Sequence, residues 1–175
     1  MLSDLSPLLI VHLADACIAI AAGAAIFLMR KGTGRHRLIG AIYLTAMTVT
    51  VVSVVPVEAK VMPFFGTRFG FFHVFVVIGF ISLLVGLHAL RRWRVYRDIR
   101  ALQAHQVHLA YSYAGLLMAG FSQMATNPRW LLVELTTQTQ FWTIFAAVNA
   151  AIYGVAVYFI QTRIAKGDPL RWKPS

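Results

Sequence analysis

The stretch Arg30–Tyr43, RKGTGRHRLIGAIY, is basic and polar where it begins and apolar where it ends. An apolar run from Leu8 to Met29 precedes it, and another from Leu38 to Val57 follows. The stretch is therefore the seam between two long apolar segments. His36 stands at that seam, with Gly40 four residues on and Tyr43 seven on. In a helix these offsets put an imidazole, a gap in the side-chain surface and a polar aromatic on one stripe.

Working outward, five apolar runs are found at about 8–29, 38–57, 69–90, 104–125 and 140–161. Each is long enough to cross roughly 30 Å of hydrocarbon as a helix. None alternates as a barrel strand does, and backbone groups in lipid must bond internally, so helices are expected. The composition agrees: 59% of the 175 residues are hydrophobic and 13% are charged, against roughly a quarter charged in a soluble domain. The expected fold class is all-α, a polytopic membrane bundle. An up-down core of four helices is joined by a fifth transmembrane helix in a single domain, 1–175.

The basic residues set the expected orientation. Thirteen of the 16 lie after helix 1 (Arg30, Lys31, Arg35, Arg37), after helix 3 (Arg91, Arg92, Arg94, Arg97, Arg100) or in the tail (Arg163, Lys166, Arg171, Lys173). Only Lys60, Arg68 and Arg129 lie after helices 2 and 4. Five crossings bring the three basic segments to one side, so the N-terminus is expected outside and the C-terminus in the cytoplasm. Residues 166–175 read as a flexible cytoplasmic tail. Arg30-Lys31 follows the first apolar run instead of preceding it, which is the order of a retained helix and the reverse of a signal peptide. The net charge of +10 is then a topology signal with attraction to anionic lipid, and no nucleic-acid partner is expected. Cys17, the single cysteine, reads as a small packing residue.

The six histidines fall near helix ends in two layers. His12 and His73 form the outer layer. His36, His88, His105 and His108 form the inner one, with His88 beside the arginine loop the expected bystander. A weak repeat relates helices 1–2 to helices 3–4, each unit having an outer His, a basic loop and an inner His. In an up-down bundle helices 1 and 3 are diagonal, as are 2 and 4. The pairs His12/His73 and His36/His105 would then face one another at two depths. Two imidazole pairs suit two b-type haems, since haem iron takes neutral imidazole. Gly40 and Tyr43 would border one slot, His108 is a further inner candidate, and Arg35, Arg37, Arg91 or Arg92 would meet propionates. Asp15, one turn beyond His12, is expected to accept that ligand's second ring N–H.

The leading expectation is thus transmembrane electron transfer through haem b, with a quinone or another redox partner. A non-enzymatic subunit docking a membrane complex through helix 5 is one alternative. A metal- or proton-linked transporter using Asp15 and the His layers is another. Phosphate loops, nucleophile elbows and His-Glu-x-x-His are absent.

His12 with Gly23, the run His36-Arg37-Leu38-Ile39-Gly40-Ala41-Ile42-Tyr43, and His105 followed by Ser112-Tyr113-Ala114 give the chain a family likeness. It resembles an uncharacterised family of bacterial integral-membrane proteins, the domain of unknown function 2306, over about His12 to Ala114. His108 and Tyr111 stand where a Trp and an Arg are common in that family. The resemblance implies a bacterial inner-membrane protein and implies no activity. The layout is also similar to the cytochrome b-561 type, by arrangement alone.

Overall fold

In the computed structural model of the protein, residues 6–56, 67, 69–126 and 137–166 are described, and all the regular elements among them are helical. They are α1 (Pro7–Leu28), α2 (Gly34–Val54), α3 (Phe71–Tyr96), α4 (Ile99–Thr126) and α5 (Gln138–Phe159), the last continuing as a π-helical segment, Ile160–Ala165. Lys60, Arg68 and Arg129, the basic residues expected after helices 2 and 4, and nearly all of the expected tail lie outside the described residues.

Local chemistry sets the helix starts. Ser6 accepts the amide of Leu9 ahead of Pro7, and Thr33 accepts the amide of His36 at 3.1 Å. Thr137 and Gln140 form a reciprocal capping box. Three helices reach further into polar sequence than their apolar runs. α2 begins at Gly34, α3 continues to Tyr96 and α4 begins at Ile99. Hydropathy sees only the part of a helix that lies in hydrocarbon, whereas backbone hydrogen bonding continues into the interface until a cap ends it. Between α3 and α4 that end is abrupt. Arg97 takes the left-handed conformation (φ 55°) and its amide bonds to Trp93 O at 2.9 Å. Asp98 then accepts the amides of Arg100 and Ala101 to start α4.

Two compact units divide the chain after Phe80. In the first, α1 packs on α2; in the second, α4 packs on α5 and on the π-helical segment. Small side chains fill the contacts, with Ala19, Ala22, Ala46, Ala110 and Ala114 all buried, while Leu28, Val52, Ile78, Val155 and Tyr158 are exposed. Large apolar groups facing outward over a core of small ones is the pattern of helices solvated by lipid. Cys17 is on the exposed surface, contrary to its expected role in packing: the buried positions of α1 are Ala19, Ala22 and Gly23.

Among the described residues four helices are long and apolar enough to cross a membrane: Pro7–Leu28, Gly34–Val54, His73–Tyr96 and Gln138–Ala165. α4 is not among them. Its 28 residues span about 42 Å, but Gln103, His105, Gln106, His108 and Ser112 dilute its hydropathy. It also buries the most, including Ser112 and Ser122 at 0% exposure. Polar residues turned into a bundle are compatible with a crossing. We expect cysteines placed singly at Arg94 and Thr137, in a Cys17→Ala background, to react with an impermeant maleimide from opposite faces of the membrane. Labelling of both from the same face would show that α4 does not cross.

Candidate functional site

Two histidines bridge helices within a unit. On α1, His12 Nδ1 lies 3.0 Å from the carbonyl oxygen of Thr50 and 3.1 Å from Ser53 Oγ on α2. A carbonyl only accepts, so Nδ1 carries the proton and donates it. Ser53 in turn donates to the same carbonyl at 3.2 Å. On α4, His105 Nδ1 lies 2.9 Å from the carbonyl oxygen of Gly86 on α3 and again donates. In a neutral imidazole one nitrogen is a donor and the other keeps its lone pair. Both rings are therefore held in the tautomer that leaves Nε2 as the basic nitrogen.

The surroundings of His12 are polar. Asp15 and His73 lie within electrostatic range of His12 in the first unit. Thr50 is 4% exposed, and its hydroxyl has no hydrogen-bond partner among the described residues. A buried hydroxyl left so costs about 1–3 kcal/mol, and such an atom marks a place where a further polar group would be accepted. Asp15 departs from expectation. The N–H it was expected to accept goes to Thr50 and Ser53 instead, because the ring is turned into the α1–α2 interface. Asp15 acts on His12 through charge alone.

His73 has the opposite tautomer. Its Nδ1 accepts the amide of Gly70 at 3.1 Å, which assigns the proton of the neutral ring to Nε2. Phe69 stacks edge-on against it at 5.3 Å. His73 thus caps the start of α3 in this geometry, and an Nε2 lone pair requires the ring to leave Gly70.

The stripe His36, Gly40, Tyr43 is formed on α2. Tyr43 is buried at 2% exposure, His36 is half-buried, and a Cβ on Gly40 would meet nothing within 4 Å. There is open space beside Gly40. His36 and His105 belong to different units, and each is described within its own. His108 is half-buried where α4 meets α3, its Cβ 3.4 Å from the position of a Cβ on Gly86. His88 is exposed.

A polar contact also joins α4 and α5, as a mid-helix asparagine in lipid calls for. Asn149, in mid-α5, donates to Ser122 Oγ and to Phe145 O, both at 2.7 Å, and its Oδ1 has no partner among the described residues. This pair ties α5 to α4. No group of three or more His, Cys, Asp or Glu side chains among the described residues could hold a metal ion. The two-imidazole ligation of haem expected from the histidine layers can be set against these residues. His12 and His105 each offer one imidazole of the kind it needs, with Nδ1–H on a backbone carbonyl; His73 as placed does not.

A family model described as "Predicted membrane protein (DUF2306)" matches residues 9–161. The chain belongs to this family. The match runs from α1 into the π-helical segment after α5, so the fifth helix is part of the DUF2306 domain, beyond the reach expected from the motifs alone. No curated protein and no solved structure matches the chain. A DUF2306 protein with several candidate spans is an integral membrane protein embedded in a lipid bilayer.

Proposed function

We propose that this DUF2306 protein binds haem b in the membrane and transfers electrons, with His12 and His105 each offering Nε2 to an iron. One observation carries the reading: both rings give Nδ1–H to a main-chain carbonyl of a neighbouring helix, Thr50 for His12 and Gly86 for His105. This is the usual outer partner of a ligating imidazole, which fixes the tautomer and makes the free nitrogen more basic. Bound haem would supply one-electron chemistry at a potential set by its axial ligands and burial. The chain's own residues hold the rings in place. Ser53 shares the proton of His12, and small side chains let the helices approach closely. The open space beside Gly40 is compatible with a planar group. His36 is the candidate for a further ligand, and His73 would become one by turning from Gly70. A quinone in the bilayer is the proposed partner, and the proposed location is a bacterial inner membrane.

The test is transfer across a bilayer. Vesicles containing the haem-supplied protein, given an external reductant, should reduce a trapped impermeant acceptor faster than empty vesicles do. His12→Gln and His105→Gln should each return the rate to the empty-vesicle level. A wild-type rate equal to that of empty vesicles would contradict electron transfer.

A second reading rests on the same bonds. Each crosses a helix interface, and interhelical hydrogen bonds alone account for a polar group in a membrane bundle. On that reading the protein is a non-enzymatic subunit whose histidines fasten helices together.

A further inference from the structure

At the α3–α4 junction the second unit has a cleft of about 820 Å³, lined by Val85, His88, Ala89, Arg92, Arg97 and Asp98 together with Ile99, Arg100, Ala101 and Ala104 of α4. We propose that this cleft is a binding site for an anionic phospholipid headgroup. The inference does not depend on the haem reading, and of the residues named for that reading only Arg92, an expected propionate partner, lines the cleft.

The walls and the rim differ in chemistry. Val85, Ala89, Ile99, Ala101 and Ala104 make an apolar floor, and three arginines stand against one aspartate. The cleft lies where the candidate span His73–Tyr96 ends, which is the depth of phosphate groups. Basic pockets between helices at that depth take acidic headgroups, with acyl chains along the apolar wall. The volume is in the range of small-molecule sites.

The arginines are held in position. Arg97 is fixed in the left-handed conformation, with its guanidinium 5.8 Å from the Trp93 ring centroid. A non-glycine residue there costs about 1 kcal/mol or more. Arg92 is held by Asp98 at 3.0 Å. Asp98 is fully engaged, since its other oxygen accepts the amides of Arg100 and Ala101. Its charge is spent on Arg92 and the helix start, which leaves Arg97 and Arg100 exposed and without an ion pair among the described residues. Guanidinium matches phosphate with paired hydrogen bonds.

Native mass spectrometry of the intact chain, loaded with equal phosphatidylglycerol and phosphatidylcholine, tests this. The wild type should retain phosphatidylglycerol preferentially. Arg97→Gln with Arg100→Gln should lower that retention by about tenfold or more, while Arg35→Gln with Arg37→Gln, which removes the same charge from the other basic loop, should leave it unchanged. Asp98→Asn, which keeps a helix cap and releases Arg92, should raise retention. Equal losses in the two arginine pairs would reduce the effect to general surface charge and overturn the site. No preference in the wild type, or no gain in Asp98→Asn, would also overturn it. Displacement of the lipid by excess inorganic phosphate would assign the cleft to a free anion and overturn the headgroup.

Discussion

Replacing His105 by glutamine is expected to leave α3 and α4 joined and to lower haem content by at least about tenfold. Glutamine can still donate to the Gly86 carbonyl, which His105 now reaches at 2.9 Å, but it offers no imidazole lone pair. Leucine at the same position removes both functions. It should lower haem content equally and destabilise the protein by about 0.6–1.7 kcal/mol, from the average to the largest value typical of hydrogen bonds between membrane helices. Comparing the two substitutions separates the ligand from the fastener. If His105 only fastens helices, glutamine has no effect on any spectrum and leucine alone lowers the thermal midpoint. Haem content by pyridine haemochrome and melting in detergent make the comparison. The same pair of substitutions at His12 should behave alike, with the Thr50 carbonyl in the place of Gly86.

Gly86→Leu is expected to be the most damaging single change in the second unit. A Cβ built at Gly86 overlaps Leu109 Cδ2 and falls 3.4 Å from His108 Cβ and 3.5 Å from the backbone nitrogen of Leu109. Alanine there displaces only the far end of Leu109, which can change rotamer, so Gly86→Ala should be mild. A leucine side chain has the α4 backbone in its way and must push the helices apart. That costs about 1–3 kcal/mol for overpacking, and it withdraws the carbonyl that His105 needs. Thermal unfolding should therefore rank wild type, Gly86→Ala and Gly86→Leu in that order. Leu109→Ala should restore much of what Gly86→Ala loses. Equal stability of Gly86→Leu and wild type would show that the close approach of α3 and α4 is not maintained in the membrane.

These expectations show where sequence reading ends. The helices were readable because about 20 apolar residues in a row leave few choices to a backbone in lipid. Their ends were less so. α3 and α4 meet at Arg97 and Asp98 through a left-handed residue and a carboxylate cap, and neither carries a hydropathy signal. His12 and His105 stood out as polar groups at the ends of apolar helices. Which nitrogen each ring uses did not, because the acceptors are main-chain carbonyls 38 and 19 residues away in sequence. Asp15 shows the same limit from the other side. Its one-turn spacing from His12 is visible in sequence and made it the natural partner, yet Thr50 and Ser53 on the facing helix take the proton. His73 was grouped with His12 by depth, while its ring serves the amide of Gly70 three residues before it. The family match through α5 also takes in Asn149 and Ser122, which lie beyond the motifs that carry the likeness as far as Ala114.

The absorption spectrum of the protein, purified from membranes supplied with ample haem, tests the central claim most directly. The proposed ligation by His12 and His105 calls for a Soret band, an α-band that sharpens on reduction, and iron in proportion to protein. Loss of these features in the double variant His12→Gln, His105→Gln, with the fold retained, is the result expected. A wild-type protein with neither a Soret band nor iron would contradict the account.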